Sequence, residues 1–248
     1  MGAIYILWLR QLKRYFRSRA RIVGSLGQPV LFLVALGFGF GPIFQKAGQG
    51  NYIQFLAPGI IAMSILFTSV FTGIEIIWDK QFGFLKETLV APVSRFKIMI
   101  GRTLGGATVA TLQGLIVLII STIIGFRPYS LAMVFFALII MLVVSILFTA
   151  LGTAIASKLD DMQGFQLIMN FLIMPLFFLS GALFPISGLP KALVIVTSIN
   201  PLSYGVDGLR AALTGTSHFG LFTDFTVLII ITFFLLVLGS YLFSKIQI

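Results

Sequence analysis

Six long apolar stretches divide the chain, at residues 24–44, 55–77, 104–126, 131–156, 165–184 and 223–243. A bilayer's hydrocarbon core is about 30 Å thick, and a helix crosses it in roughly 20 residues. Each stretch is therefore read as a transmembrane helix. A closed barrel is the other structure that satisfies every backbone amide in lipid, but its strands alternate in polarity over about ten residues. The run Leu-Ile-Val-Leu-Ile-Ile at 115–120 does not alternate. The expected fold is an all-α membrane protein with six transmembrane helices forming one membrane domain over 1–248. Residues 1–23 precede the 24–243 bundle, and 244–248 form a short tail.

Three connecting segments carry a helical period of their own. In 1–23, Arg10, Lys13, Arg14, Arg17 and Arg21 share about a third of the helical circumference, and Tyr5, Trp8, Leu12, Phe16 and Val23 lie opposite. Such a helix rests in the membrane interface. Arg19 is the misfit on the apolar face. The helix serves either as a topology anchor or as a platform for a cytoplasmic partner. In 78–97, Phe82, Leu85, Leu89 and Val90 recur at helical spacing between charged residues, Pro92 stops that helix, and Ser94 caps the next. This short helix either docks into a partner's groove or floats at the headgroups. Between 185 and 222 lie two apolar pieces too short to cross, 189–197 and 203–215, parted by an Asn200-Pro201 turn. Pro190 suits a first helical position, Ser203 a cap and Gly215 a stop. They are read as half-helices re-entering the outer leaflet, where backbone at membrane depth must be covered by protein or line a wet cavity.

Polar residues inside the spans are the candidates for chemistry. Ser64, Thr68, Thr72 and Glu75 fall within about 80° of one another on the second span. Intramembrane polar groups tend to face a bundle interior or an aqueous path. The alternative is that the hydroxyls bond back to their own helix and Glu75 reaches the interface. The fifth span carries Gln166 and Asn170, then Met174, Phe177 and Phe178 beside Pro175. Those amides suit helix association or substrate contact, and the Met and Phe positions an adaptable apolar surface. Gly37, Gly39 and Gly41 permit close helix approach. Asp207 and Arg210, three apart on the second outer piece, are spaced to pair.

Composition narrows the function. Charged residues make up 10% of the chain and hydrophobic ones 58%, against about 25% charged in soluble domains. The 17 Lys and Arg fall 13 to 4 across the proposed membrane. Lys46, Arg127, Lys191 and Arg210 are the minority, so both termini are expected in the cytoplasm. Insertion and anionic headgroups account for the net charge of +10, and no nucleic-acid partner is invoked. The chain has no cysteine, a single histidine, His218, and no Gly-Lys dipeptide. These exclude thiol chemistry, a Cys/His dyad, a His-based zinc centre and a phosphate-binding loop of the Gly-Lys type. No catalytic residue, metal or cofactor is expected on this chain.

Three motifs carry a family resemblance. They are Phe82-Gly-Phe-Leu-Lys-Glu-Thr-Leu-Val-Ala-Pro-Val-Ser-Arg95 with Gly101-Arg-Thr-Leu-Gly105, Phe178-Leu-Ser-Gly-Ala-Leu-Phe-Pro185, and Asn200-Pro-Leu-Ser-Tyr-Gly-Val-Asp-Gly-Leu-Arg210. With the six-span layout, the chain resembles the permease subunit of type-2 ATP-binding-cassette exporters, a group spanning drug, polysaccharide and nodulation-factor exporters. The 91–95 wording is most similar to the daunorubicin-type members. The resemblance implies that Phe82, Gly83, Leu85, Lys86, Glu87 and Leu89 belong to a coupling helix seated in a separate ATPase subunit, which holds ATP and magnesium. The N-terminal helix becomes a connecting helix beside it. Ser64, Thr68, Thr72, Glu75, Asn170, Met174, Phe177 and Phe178 would line a path where two permease subunits meet, with an identical second copy expected. Gly181, Phe184, Asn200, Pro201, Asp207 and Arg210 would sit at its outer gate. The implied cargo is a hydrophobic drug or lipid-like molecule, with a polysaccharide or glycolipid as the alternative, and the setting a prokaryotic inner membrane. The rivals are an ion-coupled carrier centred on Glu75 and a scaffold that anchors a cytoplasmic complex.

Overall fold

A computed structural model describes residues 2–48, 50–90 and 92–246, with Arg21 described in its backbone alone. Ala91 of the 82–95 motif and residues 247 and 248 of the tail lie outside the described residues. The regular elements among the described residues are all helices: α1 Gly2–Arg17, α2 Arg19–Lys46, α3 Tyr52–Phe71, α4 Ile74–Gln81, α5 Phe84–Val90, α6 Arg95–Ile124, α7 Leu131–Ala156, α8 Met162–Phe178, α9 Lys191–Ile199, α10 Pro201–Thr214 and α11 Leu221–Ser244.

Five of the apolar runs are long enough to cross a membrane as helices: Ile22–Lys46, Tyr52–Gln81, Arg95–Ile124, Leu131–Ala156 and Leu221–Ser244. The 165–184 stretch behaves differently. Its helix, α8, has 17 residues, which at 1.5 Å per residue is about 25 Å. The Ser180 hydroxyl donates to Phe177 O at 2.6 Å and Gly181 turns the chain at φ 73°, so the remainder of that stretch leaves the helix. α9 and α10 meet at 88°. Asn200 rather than Ser203 caps α10: its side-chain oxygen accepts from Leu202 N at 3.0 Å, with Pro201 in the first turn. Gly215 ends that helix at φ 75°, and Ser94 caps α6 by accepting from Lys97 N at 3.4 Å.

The N-terminal segment is two helices where the sequence period suggested one. Ser18 is non-helical, and its carbonyl accepts the amide of Ile22, opening α2. Arg19 therefore starts the long second helix. α1 does more than lie on headgroups, because it packs along α6. Gly101 and Gly105 make room for it: a Cβ at Gly105 would stand 2.7 Å from the Gln11 side chain. Trp8 Nε1 then donates to Thr108 Oγ1 at 3.0 Å, and the Tyr15 hydroxyl to Gln113 Oε1 at 2.5 Å. Tyr5 and Phe16 stay exposed on the outer side of α1.

α3 is the centre of the bundle, touching α2, α6, α7 and α10. In lipid, helices gain little from hydrophobicity and associate through close packing of small residues. A Cβ at Gly152 of α7 would lie 2.5 Å from Val70 O, and one at Gly73 would lie 2.5 Å from Gly152 O. Two backbones thus touch directly where α3 gives way to α4. Thr72 and Gly73 interrupt the helix there while both keep right-handed helical φ and ψ.

Candidate functional site

The sequence stripe on the second span divides in space. Ser64, Thr68 and Thr72 line a cavity of about 240 Å³ between α1, α2, α3 and α6, with Tyr15, Gln28, Phe67 and Phe71 among the other walls. Met63 and Ser64 are buried at its floor, whereas Gly24 and Gln28 on α2 are exposed at its mouth. Among the described residues, every lining side chain is uncharged. Two hydroxyls are absorbed by their own backbone: Thr72 Oγ1 donates to Ser69 O at 2.6 Å and Ser25 Oγ to Ile22 O at 3.0 Å. Among the described residues, Ser64 Oγ has no hydrogen-bond partner. An unmet buried hydroxyl costs about 1–3 kcal/mol.

Glu75 does not face this cavity. Past the Thr72-Gly73 interruption it points to α1, where its carboxylate pairs with Arg14 at 3.5 Å. One turn further along α4, Asp79 accepts from Arg102 of α6 and from Arg10 of α1, the latter at 3.5 Å. The Asp79 and Arg102 side chains are 7% and 6% exposed. Three elements far apart in sequence are thus joined by buried charge at the foot of α4. Motif reasoning missed Asp79, since an i-to-i+23 pairing leaves no local periodicity. Its only sequence signal is an acid immediately ahead of the α5 segment.

The segment beyond α4 turns at Gly83, whose φ of 80° favours glycine. α5 follows as a seven-residue helix. Leu85 is buried against its own chain, whereas Phe82, Phe84 and Val90 are exposed at 65%, 52% and 86%. Lys86 and Glu87 are exposed and Leu89 is half-buried. The outward apolar surface therefore rests on Phe82, Phe84 and Val90 rather than on Leu85 and Leu89. Lys80 fastens the neighbouring turn by donating to Ser157 O and Leu159 O, both at 3.1 Å.

At the far end of the bundle Asp207 and Arg210 do not close the ion pair their spacing suggested. Asp207 accepts from His218 N and Phe219 N, each at 2.8 Å, and from the Ser217 hydroxyl at 3.0 Å. Arg210 donates to Gly181 O at 3.0 Å and lies 4.1 Å from the centre of the Phe55 ring. Asn200 Nδ2 reaches Leu176 O at 2.7 Å. Phe184 is exposed beside them. These residues tie α10, the turn after α8 and the start of α3 into one cluster. α8 itself presents Asn170, Met174 and Phe178 outward, and buries Phe177 against Phe32 of α2. The structure thus brings Ser64, Thr68 and Thr72 together, and leaves Asn170, Met174 and Phe178 on a separate outer face.

These features define a helical multi-pass membrane protein with a cavity of hydroxyl, amide and apolar side chains among its spans. The model of the ABC-2 type transporter family matches residues 2–214, and the chain belongs to that family. It is similar to the putative transport permease ycf38 of Cyanophora paradoxa, 28% identical over 84% of this chain and 72% of that protein. It is 29% identical to nodulation protein J of Rhizobium leguminosarum bv. viciae, over 84% of this chain and 81% of that one. The inner membrane transport permease YadH of Escherichia coli strain K12 matches at 26% identity, over 94% and 92%. The family supplies the permease component of a transporter, which is not itself catalytic.

Proposed function

We propose that the chain is the membrane-spanning subunit of an ATP-driven exporter that carries a hydrophobic, lipid-like substrate across a prokaryotic inner membrane. α2, the α3–α4 pair, α6, α7, α8 and α11 are its six spans, α9 and α10 re-enter from the outer side, and both termini are cytoplasmic. The observation that carries this reading is the cavity open on the flank of α2, where the Ser64, Thr68 and Gln28 side chains stand among apolar walls and part of an amphiphile can leave the bilayer without a full desolvation penalty. The inner-membrane setting is supported by the similarity to YadH, and the 13-to-4 bias of Lys and Arg supports the orientation.

ATP and magnesium belong on a separate ATPase subunit, and a second copy of this chain completes the path against α8. α5 is the coupling helix. Its exposed Phe82, Phe84 and Val90 fill a cleft in the ATPase, and Lys86 and Glu87 flank them. Closure of the ATPases on ATP pulls α5, and the Asp79–Arg102 pair hands that displacement to α6 and, through Arg10, to α1. Work reaches the chamber only because the partner binds the two conformations of the bundle unequally.

The test is co-purification with the ATPase subunit of the same transporter, together with ATP hydrolysis in liposomes. A Phe82→Asp, Phe84→Asp, Val90→Asp triple variant alters only exposed positions, so insertion is retained. Association and stimulated hydrolysis are expected to be lost together. Normal coupling in the triple variant overturns the assignment. Leu85 is unsuitable for this purpose, because at 1% exposure it reports on the chain's own packing.

A further inference from the structure

We infer that Asp207 and Asp224 form a proton-binding site at the outer end of the bundle, in which two buried carboxyl groups share one proton that latches the first turn of α11 to α10. The site stands on these side chains, and only its access to the outer solution rests on the orientation proposed above.

Packing brings the two acids together. α11 lies against α10, and Gly208 lets it come close, since a Cβ there would stand 3.5 Å from Asp224 Cβ. Asp224 is 0% exposed and Asp207 1%, and the two carboxyl groups are within hydrogen-bond reach of each other.

Hydrogen-bond donors are divided unequally between them. Asp207 takes the Ser217 hydroxyl and the amides of His218 and Phe219. Among the described residues, neither side-chain oxygen of Asp224 receives a donor. A first-turn position favours an anion when helix amides turn to it, and here none reaches the carboxyl group. An ionised Asp224 would be buried with nothing to stabilise it. A carboxylic acid has an O–H to give, and Asp207 is the acceptor beside it.

The charged and ionisable groups around the pair balance one negative charge. On α10, Arg210 is buried and its charge reaches Asp207, while Tyr204 faces Asp224 and gives its own hydroxyl to Ser198 O at 2.7 Å. In the turn before α11, His218 binds Asp207 through its amide, and its ring lies 4.7 Å from the Phe219 ring. Arg127 and Tyr129, ahead of α7, line the same outer cavity as Asp207 but are exposed. α7 itself carries no ionisable side chain. α3 contributes Tyr52, whose hydroxyl donates to Leu183 O at 2.8 Å, and Lys191 of α9 is exposed. The basic residues of α6 belong to its opposite end. Two adjacent carboxylates out of water do not both ionise, and the proton they retain belongs to the pair.

The outer cavity of about 640 Å³ is walled by Asp207, Ser217 and His218, which gives the proton a way in from solution. Asp207 holds the 217–219 turn, and that turn leads directly into α11. Loss of the proton sets two anions face to face and parts the start of the last span from α10. Alkaline solution on that side therefore loosens the outer end, and mildly acidic solution holds it shut.

Infrared spectroscopy of the full chain in liposomes tests the site directly. Of the chain's seven acids, Glu75 and Asp79 face arginines, and Glu87, Asp160 and Asp161 are exposed. A protonated-carboxyl C=O band at about pH 7, far above the usual carboxylate range near 4, is thereby assigned to this pair. The band is expected in the wild type and in His218→Gln. It should vanish in Asp224→Asn, whose amide N–H replaces the shared proton without adding charge. Amide hydrogen exchange gives a second reading. While the closed pair keeps a proton that the open one releases, opening of the 217–224 segment should rise about tenfold per pH unit after correction for the intrinsic rate. Asp224→Asn should abolish that slope. Absence of the band at neutral pH, its persistence in Asp224→Asn, or an equal slope in both proteins overturns the inference. A band that follows the inner rather than the outer buffer upholds the proton site and overturns the orientation.

Discussion

Asp79→Ala is the most informative single change in this chain. It removes the carboxylate that Arg102 and Arg10 share, and leaves the Arg102 guanidinium, 6% exposed, without its anion. Breaking a buried pair by deleting one partner costs about 3–5 kcal/mol, mostly for the stranded charge. Arg10 contributes little to that sum, because its side chain is 46% exposed and is free to turn to solvent. The folding equilibrium should therefore fall by at least about a hundredfold. Reversible unfolding in mixed micelles measures it. Asp160→Ala is the internal comparison: its side chain is 91% exposed and its pair with Lys80 spans 3.2 Å, so the loss there should stay within about 1 kcal/mol. Replacing both buried partners, Asp79→Leu with Arg102→Leu, should restore most of the stability, since an apolar pair carries no desolvation cost. The reasoning fails if Asp79→Ala costs no more than Asp160→Ala, or if the double variant is as unstable as the single one.

Two further outcomes follow from packing. Gly152→Val drives a side chain into Val70 O, where even a Cβ would stand at 2.5 Å. It should lower stability by about 1–3 kcal/mol, while Gly39→Ala, in open space, should leave the melting temperature unchanged. Arg210→Lys keeps the charge but loses the planar group that lies over Phe55 and donates to Gly181 O. Faster proteolysis of the turn following α8 should report it, and an unchanged cleavage rate would show that charge alone holds that turn.

The helical content was legible from the sequence because lipid demands long apolar runs, and the short pieces at 189–197 and 203–215 showed through their Pro and Gly punctuation. Which residue caps α10 was not. Ser203 and Asn200 both suit a cap, and only Asn200 precedes Pro201, whose missing N–H belongs in the first turn. The facing of the spans was harder still. A helix apolar all round presents the same chemistry to lipid and to its neighbours, so hydropathy does not say which side is buried. The 80° arc joining Ser64 to Glu75 assumes one unbroken helix. It failed as a grouping because Thr72 and Gly73 interrupt the helix and Arg14, some sixty positions earlier in the chain, claims the carboxylate. The same limit hid Leu85: its spacing marks an apolar face, but whether that face meets the chain or a partner is a tertiary fact.

The docking of α1 on α6 has a consequence for how the protein is made. Trp8 and its acceptor Thr108 are 100 residues apart, and chains grow at about 5–20 residues per second. For roughly 5–20 seconds after it emerges, the first helix has no protein to lie against. Its arginines and its aromatic side chains, fitted to anionic headgroups, give it a berth on the membrane surface during that wait. The amphipathic pattern that looks like an anchor in the finished molecule is thus also a holding position, occupied until the glycine face of α6 arrives.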